Sequence, residues 1–319
     1  MGERSCKATE RRHRHESWDS VVDLLDIVLN YDCNLKCTYC TITDEMRGRR
    51  ELPIRDITTW IDYAASKGCR ALSLTGGEPT IRQDLLGLIR YARGRGFDDI
   101  KIQTNGLLFG EVANVHRALD AGVTRVGVSI HGYDGSLSRY ASTTQSDEPS
   151  AQLMLAAIDH LVRAPVALTV DMIVMTETVG TLLSSLKDFH QRGVEAMNLW
   201  LVSLTDKNRT RVDSLPRISD IQSVLMACFD YGKTQGIDVR SLHVPRCMLP
   251  DYEEHVRHPG SGMDVQVVTP DAEFQLSKSR LSGGVKPERC EQCIYNEDCP
   301  GLRSDYVAHF GHQEITPVQ

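Results

Sequence analysis

The chain has 319 residues, 41% of them hydrophobic and 25% charged, a balance that suits a soluble globular protein with a large core. Its net charge of −7 speaks against a nucleic-acid scaffold, and no apolar stretch approaches the ~20 residues of a membrane helix. Ten cysteines in a chain of this length are not the disulfide framework of a short secreted domain, and seven fall into two groups with metal spacing, which predicts a reducing, cytoplasmic setting.

Residues 1–20 hold Cys6 and the run Arg11, Arg12, His13, Arg14, His15 with no apolar region behind the charges, so they read as a solvated tail and not a secretory signal. Residues 21–29 are apolar and β-branched, and predict a strand that leads into Cys33-Asn34-Leu35-Lys36-Cys37-Thr38-Tyr39-Cys40. A helix is expected over 54–67, from the spacing of Ile54, Ile57, Ile61, Ala64 and Ala65. A short buried strand over 71–75 runs into Thr75-Gly76-Gly77-Glu78-Pro79. A helix over 83–93 precedes a strand over 100–103, closed by Gln103-Thr104-Asn105-Gly106. A helix over 112–121 ends at Gly122, and a strand over 126–130 runs into Ser129-Ile130-His131-Gly132.

Residues 140–150 are polar and turn-rich, and read either as a mobile flap beside a site or as a plain loop. Helix 151–162, strand 166–175, helix 182–191 before Gly193, strand 196–204 and helix 218–231 follow. Such alternation predicts parallel strands joined by right-handed crossovers. The six units are too few for a closed eight-stranded barrel. From about residue 240 prolines and glycines interrupt the pattern, a hairpin is expected over 265–268 and 274–276 around Pro270-Asp271, and a cysteine-rich end follows. The expected organisation is a tail over 1–20, a barrel over 21–240 and an extension over 241–319.

Three thiolates on one short loop fill three corners of a four-iron cube and leave the fourth iron open, and an open metal position is where chemistry occurs. A zinc loop is the alternative, although zinc takes four ligands and usually two cysteine pairs. Glycines at a strand end let the backbone approach a ligand closely, and Pro79 suits the first turn of the next helix. Cys69 and Cys228 sit in apolar surroundings and read as core cysteines.

The CxxxCxxC run with Tyr39 before its third cysteine, followed about 35 residues later by Gly-Gly-Glu-Pro, resembles the radical S-adenosylmethionine (radical SAM) superfamily. The resemblance implies an α/β fold: a partial (β/α)6 TIM-like barrel with a small C-terminal iron–sulfur extension, its site at the C-terminal strand ends. It implies a [4Fe–4S] cluster on Cys33, Cys37 and Cys40 whose open iron is chelated by S-adenosylmethionine. Reduction by a flavodoxin- or ferredoxin-type donor then yields a 5′-deoxyadenosyl radical that abstracts hydrogen from the substrate.

By the same resemblance Tyr39, Gly76, Gly77, Glu78, Asn105 and Ser129 are the S-adenosylmethionine contacts, the glycine run taking the methionine ammonium and Ser129 the methionine or ribose part. Asn105-Gly106 is equally a turn pair, and His131 is open between substrate binding and a structural role. Arg139 is placed to pair with the cofactor carboxylate, or faces solvent.

Cys290, Cys293 and Cys299, with Cys247 upstream, resemble the SPASM or twitch extensions that carry auxiliary clusters in this superfamily. Leu276 and Ser277 stand where the full SPASM pattern has a cysteine, so one auxiliary [4Fe–4S] cluster is expected and not two. Without Cys247 three cysteines would leave an iron open to substrate, as in the molybdenum-cofactor GTP cyclase family; the same four thiolates also suit zinc.

The 32 residues before Cys33 are too few for a leader-binding domain, which favours a small molecule such as a sugar, nucleoside or other natural-product or cofactor intermediate over a ribosomal peptide. The ending Thr316-Pro317-Val318-Gln319 differs from the Gly-Gly tail of the cyclase family and sets the chain apart from it. A non-catalytic iron–sulfur relay or zinc scaffold is the alternative from another class, and Gly-Gly-Glu-Pro argues against it, because a relay need not hold an amino acid.

Overall fold

The structure, a computed structural model, describes residues 22–48, 51–131, 133, 144–258, 262–279 and 284–319. Its framework is a ten-stranded sheet in the order β10-β9-β1-β2-β3-β4-β5-β6-β7-β8. The central strands are β1 (Leu24–Val28), β2 (Ala71–Thr75), β3 (Asp99–Thr104), β4 (Arg125–Ser129), β5 (Ala167–Val174) and β6 (Ala196–Leu201). Each pairs in parallel with the next, so they are the six units that the alternation predicts.

The crossovers include α1 (Asp44–Arg47), α2 (Ile54–Ser66), α3 (Leu85–Gly94), α4 (Val112–Ala121), α5 (Glu148–Val162), α6 (Thr176–Val179), α7 (Leu182–Gln191) and α8 (Ile218–Gln235). In α2 the buried residues Ile57, Trp60, Ile61 and Ala64 recur at helical spacing, the stripe that docks a helix on a sheet. Burying each such Ile stabilises the fold by about 1.5–3 kcal/mol.

Period-2 alternation sets the character of the two sheet faces. On β1, Leu25 and Ile27 are buried in the core while Asp26 between them lines a cleft. On β2 and β3 the same division separates Leu72, Leu74, Ile100 and Ile102 from Ser73, Thr75, Lys101 and Gln103. Alternate side chains of a strand point to opposite faces, so one polar–apolar alternation builds both a core and a polar lumen.

The sheet extends past the six units in both directions. After α8 the strand β7 (Asp238–Leu242) pairs in parallel with β6, and β8 (Val256–Arg257) pairs with β7. The expected boundary near 238–242 thus falls on a strand of the main sheet. The expected hairpin forms as β9 (Val265–Val268) and β10 (Glu273–Gln275), and β9 lies parallel to β1. Every residue of β9 is buried. An exposed strand edge leaves a row of backbone groups unpaired, and the hairpin covers that edge of β1. Beyond it, β11 (Gly284–Val285) and β12 (Leu302–Arg303) form a two-stranded ribbon before α9 (Ser304–Phe310).

Candidate active site and a second cysteine cavity

The cysteine loop and the Gly-Gly-Glu-Pro loop leave neighbouring strands β1 and β2 and lock together. Gly77 N–H donates to Asn30 O at 2.9 Å and Glu78 N–H to Asp32 O at 2.8 Å. A Cβ on Gly77 would lie 2.1 Å from Asp32 O and 2.5 Å from Tyr31 O. The glycine therefore serves a close approach of two backbones, and the chain that enters the cysteine loop is held by it.

Glu78 departs from its expected role as a cofactor contact. It is fully buried and does not line the cleft. Its Oε1 accepts from Thr80 N at 3.0 Å, Thr80 Oγ1 at 2.6 Å and Thr104 Oγ1 at 2.8 Å, and its Oε2 accepts from Asn105 N at 2.7 Å. Burial raises its pKa above the usual carboxylate range, against the lowering effect of these donors. Glu78 is a brace between the ends of β2 and β3. Gly106 completes that turn at a φ of +86°, a conformation that glycine adopts without strain.

Braced in this way, Asn105 reaches the cysteine loop, donating through Nδ2 to Asn34 Oδ1 at 2.9 Å and lying 3.9 Å from Cys33 Sγ. Arg47, at the end of α1, donates to Cys33 O at 3.3 Å and to Cys40 Sγ at 3.7 Å. From the far side, the segment after β6 takes three further carbonyls of the loop: Arg211 donates to Thr38 O, Asn208 to Tyr39 O and Lys207 N–H to Thr41 O at 3.0 Å. Burial pushes the Cys33 thiol up and the Cys37 thiol up to about 11.

Cys33, Cys37 and Cys40 open on a cleft that Tyr39, Gly76, Gly77, Asn105 and Ser129 also line. Ser129 Oγ accepts from Gln103 Nε2 at 3.0 Å. His131 is buried, accepts Ile173 N–H on Nδ1 at 2.8 Å and meets the Tyr39 ring edge-on at 4.1 Å. Burial pushes its pKa down to about 3, which fits a neutral, structural histidine. Arg139 lies outside the described residues, as do Cys6 and residues 140–143 of the turn-rich segment; α5 begins within the rest of it.

The sequence reading missed Arg47, Asn208 and Arg211, which are recognisable only once the loops meet. It also missed four polar residues of the cleft wall, Asp26, Lys101, Asp171 and Trp200. Their signal was the alternation already noted: polar side chains at every second position of otherwise apolar strands.

The second cysteine group also gathers in space. Cys247, Cys290, Cys293 and Cys299 line one cavity with Arg246, Lys286 and Tyr295. Burial, then the neighbouring Cys299, Cys293 and Cys290, push the Cys247 thiol up to about 11. Among the described residues no three His, Cys, Asp or Glu side chains converge at single-ion spacing, and these four stand around a cavity instead. Cys69 and Cys228 are buried in the core, as expected. Arg303, just beyond Cys299, ties this region to the barrel, donating to Leu201 O at 2.8 Å, Val202 O at 2.6 Å and His243 Nδ1 at 3.0 Å.

A parallel partial barrel with three cysteines of one loop at its mouth defines a class of enzyme. The chain belongs to the radical SAM superfamily, whose family model matches residues 27–189, just over half of its length. It is 23% identical over 282 residues to a probable GTP 3',8-cyclase of Sulfurisphaera tokodaii, a match covering 87% of this chain and 82% of that protein. A probable GTP 3',8-cyclase of Saccharolobus solfataricus is 35% identical over 107 residues, 34% of each chain. Among solved structures, Streptococcus suis SuiB bound to S-adenosylmethionine superposes with a TM-score of 0.68 at 14% identity, over 93% of this chain and 76% of that one. At that identity the likeness shows the fold.

Proposed function

We propose that this enzyme cleaves S-adenosylmethionine reductively at a [4Fe–4S] cluster held by Cys33, Cys37 and Cys40 and abstracts hydrogen from a small molecule bound in the same cleft. The observation that carries the reading is the shared cleft: the three thiols open on it together with Gly76, Gly77, Asn105 and Ser129. The cluster, when bound, supplies the electron that releases methionine and the 5′-deoxyadenosyl radical. The chain's own part is to hold the loop rigid through Arg47, Asn208 and Arg211, and to present polar groups for the methionine and ribose parts. The raised thiol pKa values belong to the metal-free protein, because a coordinating thiol is deprotonated outright by its metal.

For a second [4Fe–4S] cluster the donor set fits. A cube spreads its irons around a centre, so its ligands stand in a ring about a cavity, the arrangement of Cys247, Cys290, Cys293 and Cys299. Zinc would draw four thiolates to about 2.3 Å from one point. The reading of Cys247 as the fourth ligand, closing the cluster, rests on its place in that ring.

The small-molecule reading is supported by the names of the curated relatives, which act on a nucleotide by those names. SuiB has also been crystallised with the precursor peptide SuiA, but the likeness to it is one of fold. The electron donor proposed is of the flavodoxin or ferredoxin type. No helix of the described residues is long and apolar enough to cross a membrane. The test is anaerobic: reconstituted protein with dithionite and S-adenosylmethionine should release 5′-deoxyadenosine and methionine. Absence of both from an iron-replete sample would overturn the proposal.

A further inference from the structure

Among the side chains of the cleft wall, Asp171 is set up as a receptor. It sits on β5, is only 5% exposed, and lines the cleft. Its Oδ1 accepts from Asn198 Nδ2 at 2.7 Å and from Trp200 Nε1 at 3.0 Å, both from neighbouring β6. Two donors on one oxygen fix the carboxylate in place. Its Oδ2 accepts no hydrogen bond among the described residues. Unlike the buried Oδ1 of Asp26, this oxygen is open to the cleft, where a ligand can supply the donor.

The same wall carries two described cations, Arg47 and Lys101. Arg47 donates to Cys33 O and Cys40 Sγ. Lys101 stands in the field of Asp26, whose Oδ1 is itself buried without a partner. Among the described residues that line the cleft, no other lysine or arginine is present to meet a phosphate chain. An anionic ligand here would meet the two acids Asp26 and Asp171 in the same wall as these two cations, so a chain of phosphates would face like charge.

We propose that Asp171 recognises the substrate, and that the substrate is an unphosphorylated small molecule offering a hydroxyl or amino donor to Oδ2, not a nucleoside triphosphate. The proposal rests on the reading of this cleft as the catalytic one and narrows its substrate class. It gives Asn198 and Trp200 the role of positioning residues that aim the carboxylate.

Two measurements on the cluster-loaded protein decide it. Equilibrium dialysis with S-adenosylmethionine present compares GTP with guanosine. GTP bound within threefold of guanosine, more weakly, or not detectably is expected; GTP bound more than threefold more tightly overturns the proposal. A crystal structure with S-adenosylmethionine should leave Asp171 Oδ2 without a hydrogen bond from that molecule. A ribose or methionine group bonded to Oδ2 would assign Asp171 to the cofactor and overturn it equally. Both results stand apart from the 5′-deoxyadenosine assay, whose failure would remove the underlying activity instead.

Discussion

The carboxylate of Glu78 accepts the backbone N–H of Asn105 at 2.7 Å, joining the loop after β2 to the turn after β3 inside the protein. Asn105 in turn reaches Asn34 in the cysteine loop, so three loops from three adjacent strands are coupled through one buried side chain. Glu78→Gln places an amide N–H₂ where only acceptors are wanted and leaves a backbone or hydroxyl donor unmatched. A loss of about 1–3 kcal/mol in urea unfolding is expected, with weaker S-adenosylmethionine binding as the turn shifts. Unchanged stability and unchanged binding would show that the brace is dispensable.

Arg211 holds the carbonyl of Thr38 and pairs with Glu177 at 3.0 Å. The pair with Glu177 is solvent-exposed and contributes little. Arg211→Ala should therefore cost about 1–2 kcal/mol, through the lost charge-assisted bond to the cysteine loop. Because that loop is the proposed cluster mount, iron should also pass to a chelator several-fold faster than in the wild-type protein. Equal release rates would separate the clasp from the cluster.

Cys247 is the isolated member of the second ring of thiols. With two four-iron clusters the loaded protein should carry about eight irons per chain, and Cys247→Ala should bring that towards about four. A variant that keeps all its iron would show three cysteines sufficing, with one iron open in the second cavity. Zinc in place of iron in the anaerobically purified wild type would contradict the auxiliary cluster altogether.

His131 gives a pH signature. Burial pushes its pKa down to about 3 in the folded protein, against 6.5 for the free side chain. As pH falls below 6.5 the unfolded chain takes up the proton and the folded one does not. The stability tied to this site is therefore whole above pH 6.5 and is lost as pH falls from 6.5 towards 3, by about 1.4 kcal/mol per pH unit. In His131→Gln a side-chain carbonyl replaces Nδ1 as the acceptor for Ile173 N–H, without the titration. Between pH 6.5 and pH 5 the wild type should lose about 1.7 kcal/mol more than this variant in parallel urea titrations. Equal losses would contradict a neutral, buried His131.

The six strands and their helices were legible because period-2 and period-3.6 patterns are local. Helices such as Val112–Ala121 and Leu182–Gln191 emerge with the bounds that their apolar spacing predicts. The continuation of the sheet through β7 and β9 was less so. Strand β9 is only four residues long, and which edge it covers depends on a partner some 240 residues away. In the site, Cys33, Cys37 and Cys40 announce themselves by spacing, whereas Glu78 shows how a motif residue can act behind the wall and not on it. Arg47, Asn208 and Arg211 left no trace in the sequence, because an arginine or asparagine in a polar loop is unremarkable until its carbonyl partner is known. Asp171 was visible as a single acid in an apolar strand, but what aims it, Asn198 and Trp200, belongs to the next strand.

The most direct measurement is electron paramagnetic resonance of the reduced, iron-loaded protein before and after S-adenosylmethionine is added. An iron that lacks a protein ligand should take the amino acid directly, so the spectrum of the cluster on Cys33, Cys37 and Cys40 should change on addition, and the change should be missing when all three are replaced by alanine. A wild-type spectrum indifferent to S-adenosylmethionine, or a response that survives in the triple variant, would contradict the account.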